Sequence, residues 1–283
     1  MSVAAEPSTD DTGPTRRVQP PRLVARLLRS GLADRAVVLF GLLALWQILP
    51  GLLQINKLLF PDFGSVLASL VTDLRTGELE TYTARSLETL LIGMGIGVGL
   101  AIVLAAAALL SRRGKAVLDV LTSTMNPLPG IALLPVAILW FGLTVNSIIF
   151  IIVHTVLWGM ALQTYTGFAT VSRTTVRVGQ NLGLNGVAQI IHISIPAAFP
   201  HILNGLRVSW GYSWRAVIAG ELVFGVAGSQ AGLGWFIYQA HYQLNTSETF
   251  AGLVVIVLIG LLVENLIFRV VEDRTVRRWG MSI

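Results

Sequence analysis

Ionisable side chains lie inside strongly apolar stretches of this sequence, among them His154, Arg207, Arg215, Glu221 and Glu264. A charge at the centre of a membrane-spanning helix costs about 2.5–3.5 kcal/mol on insertion scales, so such a group is paired, faces water or snorkels to an end. Arg207 and Glu264 stand near the ends of their stretches, where a long stem reaches the interface, and read as structural. Arg215 and Glu221 are deeper. Their spacing on a helix turns through roughly 600°, leaving them about 120° off a common face, so they do not pair within the helix. Each finds a partner elsewhere or borders a water-filled cavity, and both readings stay open. His154 and Trp158 are one helical turn apart on another apolar stretch.

Catalytic patterns are missing. The sequence has no cysteine, which excludes thiolate metal sites, disulfides and a cysteine nucleophile. His154, His192, His201 and His241 are scattered, with no H-E-x-x-H zinc pattern, so no metal site is expected. Lys57 and Lys115 are the only lysines and neither follows a phosphate-binding glycine loop. Gly93, Gly95, Gly97 and Gly99 fit no G-x-G-x-x-G register; they form small-xxx-small pairs that let helix backbones approach closely in lipid. Gly211-Tyr212-Ser213-Trp214 lacks the glycine and the later histidine of an intramembrane serine protease. The expectation is a chain that is not an enzyme.

The elements that carry these residues are membrane helices. Of 283 residues, 54% are hydrophobic and only 12% charged, against about 25% charged in soluble domains. Mean hydropathy is +0.72. Apolar runs long enough to cross a hydrocarbon core recur at residues 36–53, 89–110, 116–143, 148–168, 201–224 and 250–268. This predicts an all-α polytopic membrane protein with about six transmembrane helices. A short surface helix is expected at 63–74 and another near 235–243. Residues 111–115 read as a short basic loop. The run 116–143 is irregular: Pro127, Pro129 and Pro135 interrupt it, each removing a helix hydrogen bond. It is either a packed kink or a bending element that lines a pathway, since broken backbone at membrane depth needs protein or a cavity to satisfy it. The candidate pathway and gating residues are Pro127, Pro129, Pro135, His154, Arg215 and Glu221.

The basic residues set the orientation. With six spans both termini share a side, and that side holds 15 of the 20 lysines and arginines, against Lys57, Arg75 and Arg85 opposite. The bias places both termini in the cytoplasm. It also accounts for the net charge of +5, so nucleic acid is not needed as a partner. Residues 1–35 form a disordered basic cytoplasmic tail without a signal-peptide pattern. Residues 36–270 form the transmembrane domain and 271–283 a cytoplasmic C-terminal tail, with Trp279 as an interface anchor.

Between two apolar blocks lies the water-facing segment 174–196, within a cytoplasmic loop at 171–200. Val178 and Leu182 make a narrow apolar edge. Gly183 suits the left-handed position that ends a helix, and Asn185 suits the cap of the next. Val187, Ile190, Ile191 and Ile195 repeat at helical spacing, and Pro196 is expected to stop that helix. A small open face is expected at Gly179–Gly183.

This segment resembles the signature of the permease subunit of bacterial ABC importers: Glu-Ala-Ala, three residues, Gly, nine residues, Ile-x-Leu-Pro. Gly183, Ile193 and Pro196 match at the right spacing, Ile195 replaces the leucine, and Arg177, Val178 and Gly179 stand where Glu-Ala-Ala would. Residues 126–143, 199–222 and 232–240 are similar to the branch that imports nitrate, taurine and alkanesulfonates. The resemblance implies a type I ABC importer permease architecture and a coupling helix that docks on a cytoplasmic ABC ATPase dimer, with Arg177, Val178, Gly179, Gly183, Asn185, Gly186, Ile193 and Pro196 as the coupling residues. It implies no cofactor on this chain, ATP and magnesium being bound by the ATPase. It further implies an extracytoplasmic solute-binding protein, a second permease copy, and a bacterial cytoplasmic membrane setting among lipid. The expected solute is a small oxyanion such as a sulfonate, taurine or nitrate. A thiamine precursor or another small metabolite, or a secondary transporter, is the alternative.

Overall fold

The computed structural model describes residues 32–224 and 231–276. Most of the 1–35 tail, residues 225–230 of the polar loop, and Arg277, Arg278 and Trp279 lie outside the described residues. All regular structure among the described residues is helical.

Helix α1 (Leu32–Leu52) lies beside the bundle and is exposed along most of its length. It is fastened at its far end. The Trp46 indole N–H donates to the Pro61 carbonyl at 3.1 Å, and its ring packs on Phe60, Phe63 and Phe250. Helix α2 (Phe63–Thr76) is the expected surface helix. Asp62 caps its start by accepting from the Ser65 N–H at 2.9 Å, and Gly77 ends it in the left-handed region, at φ 74°.

Helix α3 (Glu78–Leu110) begins well before the span expected at 89, because the amphipathic stretch ahead of that span continues the same helix. Residues 111–115 are not a loop. The Ser111 hydroxyl accepts from the Gly114 N–H at 2.9 Å and starts α4 (Arg112–Met125), so the basic residues form its first turn. After α4 the chain breaks at Asn126–Pro129, makes a 3₁₀ turn (Gly130–Leu133) and continues as α5 (Leu134–Phe141). The two halves meet at 85°. Pro127 and Pro129 lie in the break. Pro135 does not interrupt a helix; it occupies the first turn of α5, where its missing N–H costs nothing.

Helix α6 (Val145–Thr170) is the centre of the bundle, flanked by α3 and by the long helix α9 (Ile195–Phe224). Ile151, Ile152, Val156 and Met160 are fully buried there. Close approach to α3 depends on Gly93 and Gly97. A Cβ on Gly93 would stand 2.7 Å from Ile152, and one on Gly97 2.8 Å from Val156. Gly95 and Gly99 have nothing within 4 Å, so only one of the two expected small pairs packs helices.

Between α6 and α9 run α7 (Arg173–Asn181) and α8 (Val187–Gln189). Pro196 does not stop the following helix. A π turn (Ile190–Ser194) joins α8 to α9, and the widened turn accommodates the proline that follows it. Helix α10 (Leu233–Tyr242), expected near 235–243, buries Leu233, Phe236, Ile237 and Ala240. Helix α11 (Thr246–Leu262) passes through a π turn (Val263–Phe268) into α12 (Arg269–Arg274). That last helix is tied back to α9 by an Arg207–Glu272 ion pair of 2.8 Å.

Four helical segments among the described residues are long and apolar enough to cross a membrane, or five if the bent α4–α5 pair is one span. Helix α9, with 30 residues, is long enough but not apolar enough to be among them. Length and composition among the described residues thus give four or five spans and do not confirm the expected six.

Candidate functional site

Two features stand out, one outside the bundle and one within it. The first is the hairpin α7–α8. Ser172 caps α7 by accepting from the Thr175 N–H at 3.1 Å. The helix ends in a Schellman motif: the Gly183 N–H donates to the Gln180 carbonyl at 2.9 Å and the Leu184 N–H to Gly179, also at 2.9 Å. Gly183, at φ 82°, takes the left-handed position its sequence context suggested. Asn185 does not cap the second helix. That position belongs to Gly186, at φ 55°, which has no side-chain cap bond. Gly179 is not part of an open face. It is buried under Ile193, and a Cβ there would lie 3.1 Å from that side chain. The hairpin therefore closes on itself through Gly179 and Ile193. Its outer surface presents Arg177 together with Val178, Leu182, Val187 and Ile191, each more than half exposed.

The second feature is a cleft of about 500 Å³ between the broken α4–α5 segment, α6 and α9. It gathers Pro129, His154 and Arg215 from the residues singled out in the sequence, and adds Asn126, Thr155, Trp158 and Tyr212. Pro127 and Pro135 do not line it. Gly130 lets the broken backbone lie against α6; a Cβ there would stand 3.1 Å from the Ile151 carbonyl oxygen. The His154 and Trp158 rings meet edge to face at 6.2 Å. Both ring nitrogens of His154 and the indole nitrogen of Trp158 are buried without a hydrogen-bond partner among the described residues. Arg215 is exposed on the open side of the cleft, its guanidinium 6.0 Å from the Tyr212 ring.

Glu221 is not in this cleft, and no cation pairs with it among the described residues. It is buried at the start of α10, where the Ser86 hydroxyl lies 2.8 Å from each carboxylate oxygen. The Gly234 N–H donates to Glu221 Oε2 at 2.9 Å, and the Leu233 N–H donates to Ser86 Oγ at 2.8 Å. A carboxylate and a hydroxyl from two other helices thus satisfy the first two amides of α10. Ser86 gives no sign of this role in the sequence, being one hydroxyl among many. Asn126 does carry a signal: it stands directly before the proline break, where freed backbone and polar side chains gather.

The binding-protein-dependent transport system inner membrane component family matches residues 97–280. A permease from Escherichia coli (strain K12) named for aliphatic sulfonates transport is 29% identical over 224 residues, covering 79% of this chain and 84% of its own. The taurine transport system permease protein of the same organism is 29% identical over 228 residues, covering 79% and 82%. The bicarbonate transport system permease protein of Synechococcus elongatus is 28% identical over 214 residues, covering 70% and 76%. A solved inward-facing structure of a methionine ABC transporter is similar at a TM-score of 0.48 and 18% identity, over 69% of this chain and 91% of that one.

Proposed function

The chain belongs to the family of binding-protein-dependent transport system inner membrane components, and from that membership we propose that two copies of it form the path by which an ABC importer takes up a small oxyanion. The α7–α8 hairpin carries this reading. It is a compact, self-closed knob with an apolar outer surface, held between the central helix α6 and the long helix α9. In water such a surface calls for a protein partner, and a cytoplasmic ATPase dimer that binds ATP and magnesium supplies one. Arg177, Val178 and Gly183 belong to the docking face. Gly179 and Ile193 hold its shape, and Asn185, Gly186 and Pro196 belong to its connection to α9. Closure of the ATPases then moves the hairpin and rocks the spans around their pathway. Solute arrives from an extracytoplasmic binding protein, and both termini lie in the cytoplasm of a multi-pass membrane protein.

The exposed Arg215 supports the path and the second copy. An arginine within a span does not face lipid without a large cost, so its open side turns to water or to protein. Oxyanions are favoured because the relatives are named for sulfonates, taurine and bicarbonate. The test uses a single cysteine, since the chain has none of its own. Leu182→Cys is expected to crosslink to the cognate ATPase, and the assembled complex to import ethanesulfonate only with ATP. Uptake that persists after deletion of the ATPase would overturn the reading.

A further inference from the structure

We infer that the cleft between the α4–α5 break, α6 and α9 is a binding site for a small anion with a short apolar group, held by Arg215, Asn126, His154 and Trp158. This deepens the proposed function by naming where, on this chain, the solute is recognised.

The chemistry of the walls points to the ligand. Arginine and the tryptophan indole are donors only, whereas asparagine and histidine donate or accept. The Thr155 hydroxyl already donates to the Ile151 carbonyl at 2.8 Å. Among the described residues no carboxylate lines the cleft, so a cation finds no counter-charge there. Glu221, on the same helix as Arg215, is held by Ser86 and the start of α10. Glu264 shares a neighbouring recess with Arg207 and Arg215 but does not reach the cleft, and it makes no ion pair with either arginine. Three buried ring nitrogens without partners among the described residues are costly unless a ligand or water meets them. Apart from the Tyr212 hydroxyl, which donates or accepts, the remaining side chains are apolar, from Met125, Leu128, Ile131, Ala216 and Ala219. That pairing of donors with hydrocarbon fits an alkyl sulfonate better than a sugar or a peptide.

The broken segment is part of the argument. Irregular backbone at membrane depth is tolerated where it lines a cavity, and Met125, Asn126 and Leu128–Ile131 do so here. The cleft lies at mid-length of α6, so it is a station along a path rather than an entrance.

The experiment titrates the purified full chain in neutral detergent with ethanesulfonate and reads tryptophan fluorescence. Saturable binding is expected, weakened at least tenfold in Arg215→Gln and less in Arg215→Lys, with the signal reduced in Trp158→Phe. The neutral isostere ethanesulfonamide is expected to bind at least tenfold more weakly. Equal binding in Arg215→Gln, equal binding of the sulfonamide, or displacement by traces of anionic phospholipid would overturn the inference, the last making this a lipid headgroup site. If Arg215→Gln does not reach the membrane, Arg215→Lys and His154→Ala carry the same comparison. The complete complex separates the two claims. Ethanesulfonate import that is unchanged in Arg215→Gln removes the site and leaves the importer. Arg215-dependent binding without sulfonate import removes the oxyanion importer and leaves the site.

Discussion

The Ser86 hydroxyl lies 2.8 Å from both carboxylate oxygens of Glu221, joining α3 to α9 at the point where α10 begins. Neither residue is available to the cleft, so the deepest acid of the bundle serves architecture.

Removing that acid should loosen α10. Glu221→Ala leaves the Gly234 amide and the Ser86 hydroxyl without their acceptor, at about 1–3 kcal/mol for each buried group left unpaired. Glu221→Gln keeps one carbonyl oxygen as acceptor for the Gly234 amide and the Ser86 hydroxyl, and should cost less. Thermal unfolding in detergent checks the order. An alanine variant as stable as the glutamine variant would mean that the cap contributes nothing.

Gly97→Leu should fail where Gly99→Leu succeeds. The first drives a side chain into Val156 and separates α3 from α6; overpacking of this kind costs about 1–3 kcal/mol or more. The second points into open space and should stay within about 0.5 kcal/mol. Yield of folded protein and its unfolding midpoint distinguish them.

Gly183→Val should abolish import while the protein still inserts. A β-branched residue at φ 82° strains the turn by about 1–3 kcal/mol and reshapes the docking knob. Gly183→Asn should retain most uptake, because asparagine tolerates that conformation. Full uptake by the valine variant would sever the hairpin from coupling.

The cap of α2 should survive acid. The Ser65 backbone N–H, then the Ser65 hydroxyl and Lys57, hold the Asp62 carboxyl at about 2, below its usual 3.8. A lowered value means that the ionised form stabilises the fold above the ordinary carboxylate range and that this is lost only as pH falls toward 2. The Ser65 amide should therefore exchange slowly at pH 4 in the native chain and faster in Asp62→Ala, which loses about 1 kcal/mol of capping. Equal exchange rates would remove the cap.

Much of this fold is written locally. Apolar length announces α1, α3, α6 and α11, and the Gly183 turn follows from a residue that accepts a left-handed backbone without strain. Longer-range facts are not written locally. Gly93 and Gly95 look alike in sequence, and which of them packs depends on where Ile152 arrives. The misjudged stop at Pro196 has a similar origin: proline forbids one hydrogen bond, but a π turn upstream accommodates the loss and lets the helix continue. The partner of Glu221 was hidden because a helix start, and not a cation, answers it. Arg215 and His154 were visible as costly residues in apolar runs; their meeting in one cleft was not, because it needs the bend between α4 and α5.

The uninterrupted helical path from Val187 to Phe224 has a consequence for phase. At about 1.5 Å per residue it is a shaft of roughly 55 Å, with the hairpin at one end and Arg215 on its side. Angular position along such a shaft is transmitted one for one. A single residue inserted between Ser194 and Arg215 would turn the arginine by about 100°, away from His154 and Trp158, with the hairpin still in place.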